Sequence, residues 1–241
     1  MFFDIHSHIL PCVDDGAKNL EDSVNLLKMM KKSGISSVIA TSHFYPMDVN
    51  YDNYIEVTRS AFNELKNAIK DKKLPNVYLG CEMLYYRGIG NSDVLGELCL
   101  NKSKYLLLEL SQLHIDEIMF EDLLNLKNNK GIIPIIAHLE RVSEAKNFKK
   151  FLKFLKENNI PVQINAASVF VRPYKRVIKT ILDSGLFCVL ATDTHSVVER
   201  PPLMKEAYSF IRDNFGASYR TRLAKNAKIL HKEIIGENIE K

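Results

Sequence analysis

The four cysteines, Cys12, Cys81, Cys99 and Cys188, are scattered and form no CxxC pair, which argues against a thiolate zinc site and a disulfide framework. A reducing compartment suits such a set. Charge of one sign is lacking too. The 33 lysines and arginines barely exceed the 29 aspartates and glutamates, for a net +4, and the basic residues are dispersed, so no nucleic-acid footprint is present. No apolar run approaches the roughly 20 residues of a spanning helix. The longest, such as Gly131 to Leu139 and Leu186 to Thr192, fall far short, and no membrane insertion is expected. The opening MFFDIHSHIL is interrupted by Asp4, His6 and His8, with no lysine or arginine before it, unlike a signal peptide. A cytoplasmic location is therefore expected. No Pro/Ser/Gly-rich linker and no solenoid repeat divides the chain, so one domain over residues 1–241 is expected.

What is present is an ordinary globular mixture, 46% hydrophobic and 26% charged among 241 residues, enough to bury a core. Short runs rich in Ile, Val, Leu and Phe alternate with longer stretches of helical periodicity, the pattern of βα units around a parallel sheet. Seven strands are expected at Phe2 to His8, Ser37 to His43, Val77 to Met83, Tyr105 to Leu110, Ile133 to His138, Val162 to Ala166 and Phe187 to Asp193. Helical stretches cover Asn19 to Ser33, Asp52 to Asp71, Glu117 to Lys130, Ser143 to Asn158 and Pro173 to Ser184, with a weak one near Asp93 to Leu100 and two more in the tail from Pro202 to Gly236. Gly34, Gly131 and Gly185 each follow the last periodic residue of a helix, where a left-handed cap favours glycine. Seven such units predict a barrel of slightly fewer strands than the usual eight, or else an open doubly wound sheet.

Imidazoles and carboxylates collect at the strand ends. His6 and His8 close the first strand, His43 the second, Glu82 the third, Glu109 the fourth, His138 the fifth, and Asp193 with His195 the seventh. In a parallel barrel these ends open onto one face, where active sites are built. Strand residues two apart share a side, so His6 with His8 and Asp193 with His195 each offer two donors to one place. Taken singly, Glu109 or His43 is better read as surface or hydrogen-bonded polarity. Taken together, uncompensated burial of these groups exceeds the roughly 5–15 kcal/mol of a domain's stability, so cations are expected. The remaining histidines, His114 and His231, are assigned to the surface. Nitrogen and oxygen donors without sulfur suit Mn, Zn or Fe. Asp14, in the DDG of the first loop, is a further candidate, and a cluster of two or three ions follows. Cys81 should face away from Glu82, its strand neighbour.

Arg141, three residues after His138, and Arg200, five after His195, carry planar forks suited to oxyanions, which points to phosphate. Either could instead pair on the surface with Glu140 or Glu199. Tyr45, Tyr51, Tyr54, Tyr85 and Tyr86 gather after the second and third strands, and some are expected to line a substrate entrance.

These motifs make the chain resemble the PHP (polymerase and histidinol phosphatase) family, and within it the manganese-dependent protein-tyrosine phosphatases of bacterial capsule and exopolysaccharide operons. DIHSHILP with DDGAK, ATSHF, GCE, LLLEL, AHLER, QINAAS and ATDTH with a later RPP stand in the family's order over nearly the whole chain. Leu139 stands where proline is usual. The resemblance implies a distorted (β/α)7 barrel with three ions at the C-terminal strand ends: one on His6, His8, Glu82 and Asp193, one on Glu82, Glu109 and His138, and one on Asp14, His43 and His195. It further implies Mn²⁺, with Zn or Fe as alternatives, and Arg141, Arg200 and Asp193 as the catalytic residues. Its partner would be a phosphotyrosine protein such as a bacterial tyrosine kinase. A metal-bridging hydroxide would attack phosphorus, leaving Cys12 and the serines as spectators. A small-molecule phosphatase of the histidinol-phosphatase type and a non-catalytic accessory module are the competing readings. An amidohydrolase-type barrel is weakened by the absence of a strand-borne lysine.

Overall fold

A computed structural model of the chain describes residues 1–111 and 115–236; His114 lies outside the described residues. In chain order the elements are β1 (Phe2–Asp4), α1 (Leu20–Lys32), β2 (Ile35–Ala40), β3 (His43–Phe44), α2 (Tyr51–Ile69), β4 (Asn76–Leu79) and β5 (Glu82–Leu84), followed by β6 (Tyr105–Glu109) and α3 (Glu117–Asn128). Then come β7 (Ile133–Ile136), α4 (Phe148–Glu157), β8 (Val162–Asn165), α5 (Arg172–Asp183), β9 (Cys188–Ala191), α6 (Met204–Asn214) and α7 (Ala217–Ile235). The stretch near Asp93 to Leu100 forms 3-10 turns rather than a helix. Local chemistry fixes the helix starts: the side chains of Asn19, Asn50 and Asp116 accept the N–H groups of Asp22, Asn53 and Met119, satisfying donors that the first turn leaves free. Gly34, Gly131 and Gly185 are all at positive φ, as expected of caps.

Every strand pair is parallel, in a three-stranded sheet β1-β2-β4 and a six-stranded sheet β3-β5-β6-β7-β8-β9. The expected second and third strands are each broken in two, at Thr41–Ser42 and Gly80–Cys81. Gly80 sits at the second break because a Cβ there would meet Leu100 and Ile39 side chains at 2.7 and 2.8 Å. Hydrogen bonds nevertheless span the breaks, from Thr41 N to the Ser7 carbonyl at 2.8 Å and from Gly80 N to the Ala40 carbonyl at 2.9 Å. Beyond β1 and β9, Ser7 bridges to Thr194, His8 N donates to the Thr194 carbonyl at 2.9 Å and Asp193 N to the His6 carbonyl at 2.9 Å.

Alternation along the strands separates two apolar clusters. Phe3, Ile5, Ile39, Leu107, Ile135 and Val189 pack together with Ala227, Leu230 and Ile234 of α7, while Val38, Leu106, Leu108, Ile136, Ile164 and Leu190 face the other helices. Because α7 lies against β1 and β9, its inner face belongs to the core. That corrects the surface assignment of His231, which is only 3% exposed, lies edge-on to Phe3 at 4.8 Å and places Nε2 3.2 Å from the Ser37 hydroxyl. Among the described residues no helix is long and apolar enough to cross a membrane.

Candidate metal centre

The chain leaves β1, β3, β5, β6, β7 and β9 at one end of the molecule, and the polar residues singled out above meet there. Backbone conformation helps to aim them: His138 (φ 29°) and Asp193 (φ 50°) occupy left-handed conformations, which a non-glycine residue holds at a cost of order 1–3 kcal/mol each. Burying imidazole beside carboxylate at such a cost indicates a built site rather than surface polarity.

Three groups of donors converge, the ligand atoms of each lying within 4.8 Å of one another: His6, His8, Glu82 and Asp193; His43, Glu82 and Glu109; and His8, Asp15, His43 and His195. Glu82, fully buried, joins two of them. Its Oε2 is 3.0 Å from His6 Nε2, 3.2 Å from His8 Nε2 and 3.1 Å from His43 Nδ1. His138 Nε2 lies 3.0 Å from Glu82 Oε1 and 3.3 Å from Glu109 Oε1, beside the second group though not within it. Tyr45 stacks on His43 with centroids 5.1 Å apart and borders the site. Tyr54 instead turns inward to donate to the Ser42 carbonyl at 2.7 Å, and Tyr85 donates to Asp122 at 2.8 Å.

The third grouping differs from the expected one in its carboxylate. Asp15, not Asp14, is the carboxylate gathered with His43 and His195, its Oδ1 3.2 Å from His195 Nε2 and 3.6 Å from His43 Nε2. Asp14 lies behind the centre, where its Oδ2 accepts from His8 Nδ1 at 2.7 Å and from His43 N at 3.1 Å. That bond fixes the His8 tautomer and presents Nε2 inward. His195 is oriented in the same manner by the Asp193 carbonyl, 2.9 Å from its Nδ1.

The donor set fits divalent cations. Glu82 Oε2, His43 Nδ1 and His195 Nε2 are buried in close contact with other donor groups yet make no well-directed hydrogen bond, a crowding of unaligned polar atoms that buried groups seldom show without a cation between them. Charge tells the same story. Burial would raise the Glu82 carboxyl, but the charge of His6 and the bonds from His138, His6 and His8 outweigh it and hold it far below its usual range. Burial likewise opposes protonation of His138, yet bonds to Glu109 and Glu82 push it up to about 9. Burial and the charge on His8 bring His195 down to about 4. The carboxylates thus demand positive charge, which protons on a few imidazoles supply only in part.

Both arginines reach this centre. Arg141 Nη2 is 2.5 Å and Arg200 Nη2 2.7 Å from Asp193 Oδ2, while Asp193 Oδ1 faces His6 and His8 Nε2 at 3.4 and 3.5 Å. Among the described residues neither arginine forms an ion pair with Glu140 or Glu199; both turn to Asp193 instead. Asn165, which the sequence reading passed over, donates to the same Oδ2 at 2.7 Å; its place at the end of β8, in QINAAS, was the available signal. Arg141, Asn165 and Arg200 line a cavity of about 210 Å³ together with Asp193 of the first donor group.

A cysteine nucleophile has no support here. Cys81 and Arg87 carry the C-x5-R spacing of thiolate phosphatases, but their surroundings do not suit that chemistry. Cys81 is buried, its thiol pushed far up by burial and placed in the wall of a separate cleft with Tyr54 and Cys99. Arg87 is exposed and paired with Asp116 at 2.5 Å.

The family model for capsular polysaccharide synthesis proteins of the CpsB/CapC type matches residues 2–231. The tyrosine-protein phosphatase YwqE of Bacillus subtilis is 31% identical over 235 residues, covering 94% of this chain and 90% of that protein. The tyrosine-protein phosphatase CpsB of Streptococcus pneumoniae is 31% identical over 234 residues, covering 89% and 91%. A crystal structure from work on YwqE and CpsB, described there as unique metal-dependent tyrosine phosphatases, superposes with a TM-score of 0.80 at 26% identity over 99% of this chain and 96% of that one. Histidinol phosphate phosphatase from Lactococcus lactis, solved with zinc, histidinol and phosphate, shares the fold at a TM-score of 0.57 and 14% identity, covering 88% and 93%.

Proposed function

The chain belongs to the CpsB/CapC family of capsular polysaccharide synthesis, and from that premise we propose that it is a metal-dependent phosphatase that removes phosphate from tyrosine on proteins. The observation that carries this reading is the placement of Arg141 and Arg200 on Asp193, itself a member of a donor group of two imidazoles and two carboxylates. An anion-gripping fork and a cation centre are there joined through one side chain.

His6, His8, Glu82 and Asp193 would hold one ion, Glu82, Glu109 and His138 a second, and Asp15, His43 and His195 a third. Manganese suits this hard, sulfur-free set, with zinc or iron as alternatives. Bound there, the cations would acidify water to near pH ~7 and neutralise phosphoryl oxygens, supplying the nucleophile without a protein side chain.

The chain's own residues do the rest. Arg141 and Arg200 exchange Asp193 Oδ2 for two phosphoryl oxygens, orienting phosphorus over the centre. Asn165 stays on Oδ2, so Asp193 keeps Oδ1 turned toward His6 and His8. Burial of His6, His8 and Glu82 excludes bulk water and strengthens every charge interaction. A tyrosine leaving group, with pKa about 10, needs less proton assistance than an alkyl alcohol, and the half-buried ring of Tyr45 offers it an aromatic wall.

The fold is best read as a distorted (β/α)7 barrel formed by residues 1–241 as one unit. The inner cluster, shared by β1, β2, β6, β7 and β9, supports it, as does the Ser7–Thr194 bridge between the first and last runs. A bacterial tyrosine kinase of polysaccharide synthesis is the proposed substrate, and the cytoplasm the proposed location of this chain. Turnover of a phosphotyrosyl peptide and of histidinol phosphate by the same Mn²⁺-loaded protein tests the substrate class: preference for the peptide supports the reading, and preference for histidinol phosphate moves the protein to small-molecule metabolism.

A further inference from the structure

We infer that Gln163 is a positioning residue that ties two of the proposed ion sites together through a single side-chain oxygen. The inference rests on the reading of His6 and His138 as cation ligands. Gln163 lies on β8 and is fully buried. Its Oε1 accepts the backbone N–H of His138 at 2.6 Å and lies 3.2 Å from His6 Nδ1.

The orientation of this amide follows from chemistry. A backbone N–H only donates, so the atom 2.6 Å away is the oxygen, and the amide nitrogen is left pointing at the Ala191 carbonyl, 3.5 Å away. An oxygen facing His6 Nδ1 requires the proton on that nitrogen. The His6 lone pair is then on Nε2, the atom that faces Glu82 Oε2 at 3.0 Å and Asp193 Oδ1 at 3.4 Å. The bond made by one ring nitrogen thus decides which nitrogen is free to bind metal.

The second bond acts on the backbone. His138 sits at φ 29°, ψ 54°, a conformation that a residue with a side chain does not hold unaided. Its N–H is anchored by Gln163 while its imidazole Nε2 reaches Glu82 and Glu109. Loss of the Gln163 oxygen therefore frees the His6 tautomer and the His138 backbone together, and both ion sites weaken.

Metal-stripped wild type, Gln163→Met and Gln163→Glu are titrated with Zn²⁺ against a chelator of known affinity, with folding followed by circular dichroism. Methionine fills a similar volume without an acceptor, and a loss of Zn²⁺ affinity of roughly 10–100-fold is expected, while glutamate keeps the acceptor and restores most of it. Long-range proton–nitrogen NMR of Zn²⁺-loaded wild type should place a proton on His6 Nδ1, a readout that needs no variant to fold. Wild-type affinity in Gln163→Met, or a His6 Nδ1 without a proton, overturns the inference. Failure of wild type to bind Zn²⁺ at all removes instead the premise that this is a metal centre.

Discussion

Asp193 joins the two halves of the site: one carboxylate oxygen faces imidazoles and the other holds two guanidinium groups. Removing Arg141 should therefore cost turnover more than metal. Arg141→Ala is expected to lower kcat/KM on a phosphotyrosyl peptide by roughly 10²–10³-fold with metal content unchanged, and Arg141→Lys to recover little, because an ammonium lacks the planar fork. The two adjacent acids of the first loop should separate as well. Asp15→Asn should lower the number of ions bound per chain by one, whereas Asp14→Asn should keep the count and weaken affinity by roughly 10–100-fold through His8; elemental analysis and a metal titration distinguish them. Cys12→Ser should leave turnover unchanged, since the exposed Cys12 belongs to no donor group. At this scale the convergence of the strand-end donors was legible because period-two spacing and position at the end of an apolar run constrain a side chain strongly. Asp14 and Asp15 were not separable, because a loop has no period and the outcome depends on where its backbone turns.

The first loop shows what an element adds. It folds back on His8 so tightly that a Cβ at Gly16 would meet the His8 carbonyl oxygen at 2.1 Å and the His8 Cβ at 2.5 Å, while Ala17 N donates to that same carbonyl at 3.0 Å. Gly16→Ala should force the loop outward, destabilise the protein by about 1–3 kcal/mol and weaken metal binding through displaced Asp15. Thermal melts with and without Mn²⁺ would register both effects, and an unchanged melting profile would contradict the tight packing described. Helices and strands were readable from periodicity within a few residues. What escaped was the break at Gly80, which arises from contact with Leu100 and Ile39, and the burial of His231. Leu223, Ala227, Leu230, His231 and Ile234 do lie at helical spacing along α7, but only the docking of that helix against β1 and β9 reveals that their face is covered.

At the scale of the whole molecule, parallel runs bring residues as distant in sequence as His6 and His195 into one centre, and loops after the strands supply the arginines. The alternation of strands and helices around parallel pairing was visible in the sequence, and with it the gathering of polar strand ends on one face. The division of the pairing into two sheets was not, since it depends on kinks set by tertiary contact. Phosphotyrosine hydrolysis should depend on the cation centre that these converging donors make. Phosphate release from a phosphotyrosyl peptide, measured with metal-stripped protein before and after addition of Mn²⁺, tests it most directly. Negligible release from the stripped protein and recovery on adding the ion are expected. Equal release in both states, or none in either despite bound metal, would contradict that dependence.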